Sequence, residues 1–191
     1  MRITGGQARG IPLVLPKGDA VRPATDAMRQ AVFSSLAARI AGSTFLDLFA
    51  GSGAYGLEAL SRGAAGGTFV EKDARTADCI KRNLAAVCKS LGRSEMDLQV
   101  VTADALTVTL NPREVPDLVF IDPPYEIIPV VAAKIFGRLA SMLSAKTDAL
   151  VVFELPGELR LEPPGWTCLK RLGKGARQPT VCIFKANQAG P

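Results

Sequence analysis

Thr44-Phe45-Leu46-Asp47-Leu48-Phe49-Ala50-Gly51-Ser52-Gly53-Ala54-Tyr55-Gly56 decides the architecture of this chain. A short apolar run leads straight into a glycine-rich turn and then into a helical stretch, so a strand, a tight turn and a helix follow one another. Gly51 and Gly53 carry no Cβ, which lets the backbone approach a bound nucleoside or phosphate closely. The helix start behind them offers unpaired N–H donors. The next apolar run, Gly67 to Val70, ends at Glu71, which lies 20 residues after Gly51. A carboxylate there can accept both hydroxyls of a ribose. Gly51, Gly53 and Gly56 with Glu71 also satisfy the fingerprint of dinucleotide-binding folds, so glycine spacing alone leaves two kinds of nucleotide ligand open.

Outward from this unit, strands and helices alternate. Strands are predicted over 44–48, 67–71, 97–102, 117–121 and 148–154, and helices over 55–62, 74–91 and 127–143. This pattern argues for an α/β, Rossmann-like, mostly parallel sheet with helices on both faces. The runs 166–172 and 180–185, joined by Gly173 to Pro179, break the alternation and predict an antiparallel C-terminal hairpin, which makes seven strands. At the other end, Arg2-Ile3-Thr4 and Ile11 to Leu15 flank Gly5 to Gly10 and predict a small N-terminal β-hairpin appendage within residues 1–24. Thr25 is the expected N-cap of a helix carrying Met28, Val32, Leu36 and Ile40 on one face, with Asp26 in its first turn. One domain over 1–191 is expected, without repeats or linkers.

Asp122-Pro123-Pro124-Tyr125 follows the apolar run Leu118 to Ile121, which puts an acceptor-rich, rigid turn at the end of a buried strand. Such a turn suits methyl transfer to a planar exocyclic amine, whose lone pair is delocalised into its ring. The Asp122 carboxylate can accept one N–H and the Pro123 carbonyl the other, while Tyr125 offers a face for stacking. A dehydrogenase has no use for this turn. Together with Asp47 inside the first strand end and Asp104 at the third, it favours S-adenosylmethionine over a dinucleotide. Asp47, Glu71, Asp104 and Asp122 then all fall at the carboxyl ends of strands, where open α/β sheets bind ligands. Phe49 and Tyr55 have two readings, wall of the donor pocket or core packing, and Glu58 is either a solvated helix residue or a partner of the site.

Composition narrows the chemistry. The chain has 191 residues, is 48% hydrophobic and contains no histidine, which excludes histidine-based triads. An already activated methyl donor survives this test, because orientation supplies most of the rate. Cys79, Cys88, Cys168 and Cys182 are scattered, so neither a disulfide framework nor a metal site is expected. No apolar run approaches the roughly 20 residues needed to span a bilayer, and the start reads as no secretory signal, so a cytoplasmic protein without membrane contact is expected.

The chain is identified by resemblance as a member of the class I S-adenosylmethionine-dependent methyltransferases, and within them of the RsmD family of small-subunit 16S ribosomal RNA guanine-N2 methyltransferases. Arg2 to Gly6, Arg9-Gly10, Arg22 to Asp26, Arg29 to Phe33, Leu46 to Gly53, Gly56 to Ala64, Val70-Glu71 and Asp122 to Tyr125 carry the resemblance. It implies that Glu71 holds the ribose, Asp104 the adenine amine, Gly51 and Gly53 the methionine side, and that Asp47 lies beside the donor's amino group. Phe49, Ser52, Lys72, Ala105 and Asp122 complete the expected donor contacts, and Asp122 to Tyr125 form the catalytic turn. Ribosomal RNA, within a small-subunit particle, is the implied partner of a monomeric enzyme. The basic loop 173–179 departs from the short turn of that family.

Charge agrees with a nucleic-acid partner. Residues 1–40 hold six Lys or Arg against two Asp, so +4 of the chain's net +5 sits there. Arg9, Lys17, Arg22 and Arg29 are candidate phosphate contacts, Thr25 and Tyr125 candidate base or backbone contacts, and Lys170, Arg171, Lys174 and Arg177 a second basic group. The same turn would serve an adenine-N6 methyltransferase, a protein glutamine methyltransferase would present a similar amide, and a non-catalytic RNA-binding assembly factor could keep the fold; these stand as alternatives.

Overall fold

The computed structural model describes residues 1–16, 25–109, 115–173, 175 and 178–187. Their order is α1 (Asp26–Ser35), α2 (Ala37–Ile40), β1 (Thr44–Leu48), α3 (Ala54–Ser61), β2 (Gly66–Glu71), α4 (Ala74–Leu91), β3 (Leu98–Thr102), β4 (Leu118–Ile121), a 3-10 turn (Tyr125–Ile127), α5 (Ile128–Met142), β5 (Leu150–Pro156), β6 (Trp166–Leu172) and β7 (Pro179–Ala186). The strands form one seven-stranded sheet in the order β3-β2-β1-β4-β5-β7-β6. β1 to β5 pair in parallel, and β7 runs antiparallel between β5 and β6.

Side-chain parity divides the core, because successive strand residues face opposite sides of the sheet. Phe45, Phe69, Phe120 and Val152 pack with α1, α3 and α4 residues on one face. Leu46, Val70, Ile121 and Phe153 pack with α5 on the other. On the first face Phe45 and Phe69 meet edge-on at 5.2 Å, and Tyr55 stacks on Phe120 at 5.4 Å. Each such pair adds roughly 1 kcal/mol to the burial of its rings.

The helix expected to carry Met28, Val32, Leu36 and Ile40 breaks at Leu36 into α1 and α2, while the starts of α1 and α4 fall where their capping residues stand. The Thr25 hydroxyl accepts the Met28 N–H, and the Asp73 carboxylate accepts that of Thr76 at the start of α4. Gly92 closes α4 in the left-handed conformation. No described helix is long and apolar enough to cross a membrane.

The N-terminal segment forms the small hairpin expected from its sequence: Arg2 bridges Pro12 in antiparallel fashion, the Ile3 N–H donates to the Ile11 carbonyl at 2.9 Å and the Leu13 N–H to the Met1 carbonyl at 3.2 Å. The segment lies on α3: Ile3, Ala8 and Leu13 are buried, and Thr4 donates both its N–H and its hydroxyl to Glu58 at 2.8 Å. Ser61 accepts the Ala8 N–H, donates to the Gly5 carbonyl, and its own carbonyl takes the Gln7 N–H. A Cβ on Gly6, which has φ +77, would lie 1.9 Å from that Ser61 carbonyl oxygen. Only glycine allows so close an approach.

Candidate functional site at the carboxyl edge of the sheet

Glu71, Asp47, Asp122 and Glu154 stand at the carboxyl ends of the four neighbouring strands β2, β1, β4 and β5, in that order across the sheet. The register puts them on one face: Asp47 pairs with Phe69 and Phe120, Ile121 with Phe153, so Asp122 and Glu154 share the side of the first core. Adjacent strands are about 4.8 Å apart, so Glu71 and Asp122 lie roughly 10 Å from each other across β1.

The donor half centres on the turn after β1. Gly51 and Gly53 have φ of 55 and 78, and Gly53 opens α3. A Cβ at Gly51 would meet nothing nearer than the Phe49 carbonyl oxygen at 3.9 Å, so the loop leaves open space on its outer side where a ligand can lie against backbone. Glu71 borders this space; its carboxylate accepts the N–H of Gly51 and of Asp73, each at 2.9 Å, with lone pairs left for hydroxyls. On the far side Asp104 accepts the Leu106 N–H at 2.9 Å and lies 3.5 Å from Lys72. That backbone bond, and then Lys72, hold Asp104 below the ordinary carboxylate range, so it is an ionised acceptor. Ala105 is buried, and its carbonyl accepts Arg138 of α5 at 2.8 Å, which fixes the loop. Ser52 is buried, its carbonyl bonded by Asn83 of α4. A glycine cradle followed by the Glu71 and Asp104 carboxylates, both with acceptor capacity, fits S-adenosylmethionine.

Asp47 is buried and accepts the N–H of Gly56 at 3.0 Å. Burial, followed by the charge of Glu71, raises its pKa to about 8, against the pull of the Gly56 bond. Phe49 is half-buried and takes φ +57, a left-handed conformation that costs an aromatic residue on the order of 1–3 kcal/mol. It packs against the α5 side of the core. Tyr55 lies in the core with 6% of its surface exposed, and its hydroxyl points at Glu154.

The acceptor half is the turn after β4. Asp122 is half-buried, Pro123 buried, and Pro124 and Tyr125 exposed. Burial, then the neighbouring charges of Glu154 and Asp47, push the Asp122 carboxyl well above its ordinary range. Such shifts gather where a carboxylate is kept for chemistry.

Several expected contacts are displaced. Arg29 cannot serve as a phosphate ligand: its side chain is fully buried, donating to Asp26 and the Arg2 carbonyl at 2.7 Å. The apolar packing of α1 on the core carries it inward with its partner. Arg171 donates to the carbonyls of Gly157 and Leu159, so it braces the segment after β5 rather than facing solvent. Arg9, Thr25 and Lys170 are exposed, while Lys17, Arg22, Lys174 and Arg177 lie outside the described residues. Glu58 is neither solvated nor at the ligand; it is the buried tie of the N-terminal segment, paired with Arg62 at 2.9 Å. Sequence reading passed over Glu154, the last polar residue of an apolar strand. Its position level with Asp122 on the adjoining strand was the available signal. Among the described residues no metal-binding cluster of His, Cys, Asp and Glu forms.

Comparison with known proteins agrees with this geometry. The model of the family described as Conserved hypothetical protein 95 matches residues 1–183. The Haemophilus influenzae protein named Ribosomal RNA small subunit methyltransferase D is 34% identical over 178 residues, covering 92% of this chain and 89% of that protein. Its Escherichia coli K12 namesake is 41% identical over 125 residues, 65% of this chain, and the match spans 60% of the length of that relative. The solved structure of Escherichia coli yhhF superposes with a TM-score of 0.76 at 30% identity over 99% of each chain. This chain therefore belongs to the family described as Conserved hypothetical protein 95, together with the ribosomal RNA small subunit methyltransferase D proteins, the RsmD family.

Proposed function

We propose that this chain transfers a methyl group from S-adenosylmethionine to the exocyclic N2 amine of a guanine in 16S ribosomal RNA. The observation that carries this reading is the placement of Asp122-Pro123-Pro124-Tyr125 at the end of β4, beside the glycine cradle after β1 and the Glu71 carboxylate of β2. Its support from kinship is the name borne by the relatives, Ribosomal RNA small subunit methyltransferase D.

When bound, S-adenosylmethionine supplies a methyl group already activated on a sulfonium. The chain's own residues then have a positional task. Gly51, Gly53, Glu71 and Asp104 hold the donor along the edge of the sheet, with Phe49, Ser52, Lys72 and Ala105 around it and Asp47 beneath. The Asp122 carboxylate and the Pro123 carbonyl accept the two N–H groups of the base, turning its nitrogen lone pair toward the donor, and Tyr125 stacks on the ring. Asp122 takes the proton that the nitrogen loses after transfer. Orientation of this kind is worth orders of magnitude in rate without a strong base. Drawing the base out of its stack costs a few kcal/mol, least in a loop.

The chain works as one methyltransferase domain whose first 24 residues contact RNA, Arg9 and Arg22 among them, with Thr25 just beyond also toward the backbone. It acts as a cytoplasmic monomer on a small-subunit particle. Incubation with tritiated donor and either naked 16S RNA or undermethylated particles, followed by mapping of the labelled nucleotide, tests this. Label on guanine N2, with particles the better substrate, is expected. Label on adenine N6 or on protein, or none with either RNA, would overturn it.

A further inference from the structure

Glu154 has no part in the chemistry just described, yet it lies 1% exposed in a strand whose other residues are apolar. A carboxylate removed from water costs several kcal/mol unless something specific holds it. Two phenols do. The Tyr55 hydroxyl donates to one oxygen of Glu154 at 2.9 Å, and the Tyr125 hydroxyl approaches the other at 3.4 Å. One of these tyrosines lies in the core and the other at the surface. Tyr55 stacks in the core on Phe120, 19° from parallel, while Tyr125 keeps 37% of its surface exposed in the turn that meets the base.

From this juxtaposition, the geometry points to Glu154 as a positioning residue of the methyl-transfer site: it anchors the Tyr125 stacking face to the immobile ring of Tyr55 and sets its charge beside Asp122. The inference rests on the methyltransferase reading above and deepens it. An aromatic platform whose hydroxyl is held before the base arrives loses less freedom on binding. The 3.4 Å separation is long for O–H···O, as contacts of a site often are before the substrate closes it.

The charge has a separate consequence. The groups facing Glu154 are Tyr55 from α3, Tyr125 from the 3-10 turn, Asp122 from β4 and the Arg29 cation from α1, with Asp47 of β1 acting on Asp122 from the other side. Asp122 must be ionised to accept the amine N–H and then its proton, so methylation rises with pH as Asp122 deprotonates. A negative Glu154 opposes that ionisation. Its neutralisation therefore moves the rising limb to lower pH.

The test compares wild type, E154Q, Y125F and the double variant on undermethylated small-subunit particles, measuring single-turnover methylation against pH, donor Kd and thermal unfolding. Y125F removes the hydroxyl of a residue that is itself surface-exposed, so it reports on the same bond without truncating a core side chain. In both single variants turnover above the limb falls on the order of tenfold, the worth of one hydrogen bond, with donor Kd unchanged. The limb shifts down in E154Q and stays in Y125F, and the double variant turns over no more slowly than E154Q, since both lose one shared contact. An unmoved limb in E154Q, or losses that multiply in the double variant, would overturn the role of Glu154. Wild-type protein that leaves guanine N2 unmethylated would instead count against the underlying reading.

Discussion

In the proposed reaction Asp122 carries the acceptor chemistry, and its surroundings say how it should fail. It is not bonded into the donor cradle, which is built from the Gly51, Glu71 and Asp104 neighbourhood. Replacement of Asp122 by Ala is expected to leave S-adenosylmethionine affinity within about twofold in a calorimetric titration, while single-turnover methylation drops by roughly 10²–10³, the usual loss when an oriented polar contact to the reacting group is removed. Equal losses of binding and turnover would contradict this division. The strand-end positions of Asp122 and Glu71 were legible because strand, turn and carboxylate are contiguous in the chain. Glu154 was not, because its partners Tyr55 and Tyr125 are 99 and 29 residues away.

At the scale of elements, the tie between α3 and the N-terminal segment concentrates on Glu58. Its fully buried carboxylate takes two bonds from Thr4 and the guanidinium of Arg62, which also lies over the Phe33 ring at 5.2 Å. In Glu58→Ala these donors lose their acceptor inside the protein. The expected cost is about 3 kcal/mol, the scale of breaking a buried charge pair, read as a lower midpoint in urea with an unchanged slope. A loss below about 1 kcal/mol would show that the segment is held by its apolar residues alone. The helix caps at Thr25 and Asp73 needed no such tertiary information, since an N-cap is a contact between residues three apart.

For the whole molecule, the question is how a net charge of +5, gathered mostly in the first 40 residues, meets RNA. Burial removes Arg29 from that account, while Arg2, Arg9 and Arg39 are exposed, Arg9 at the tip of the segment stapled to α3. Arg9→Ala is expected to weaken binding to small-subunit RNA similarly for all sequences and to lower the slope of log affinity against log salt by about 1, the value of one phosphate contact. An unchanged slope in filter binding across a salt series would remove Arg9 from the interface. Hydrophobic alternation and turn chemistry determined the strands, most of the helices and the four carboxylates at strand ends by themselves, because periodicity and caps act between near neighbours in the chain. Only the tertiary structure decided that Arg29 is internal, that Arg171 braces a loop, that the N-terminal hairpin lies flat on α3 and that Glu154 stands beside Asp122. Burial and hydrogen-bond partnership depend on which distant segments the sheet brings together, and that is a property of strand order, not of local sequence.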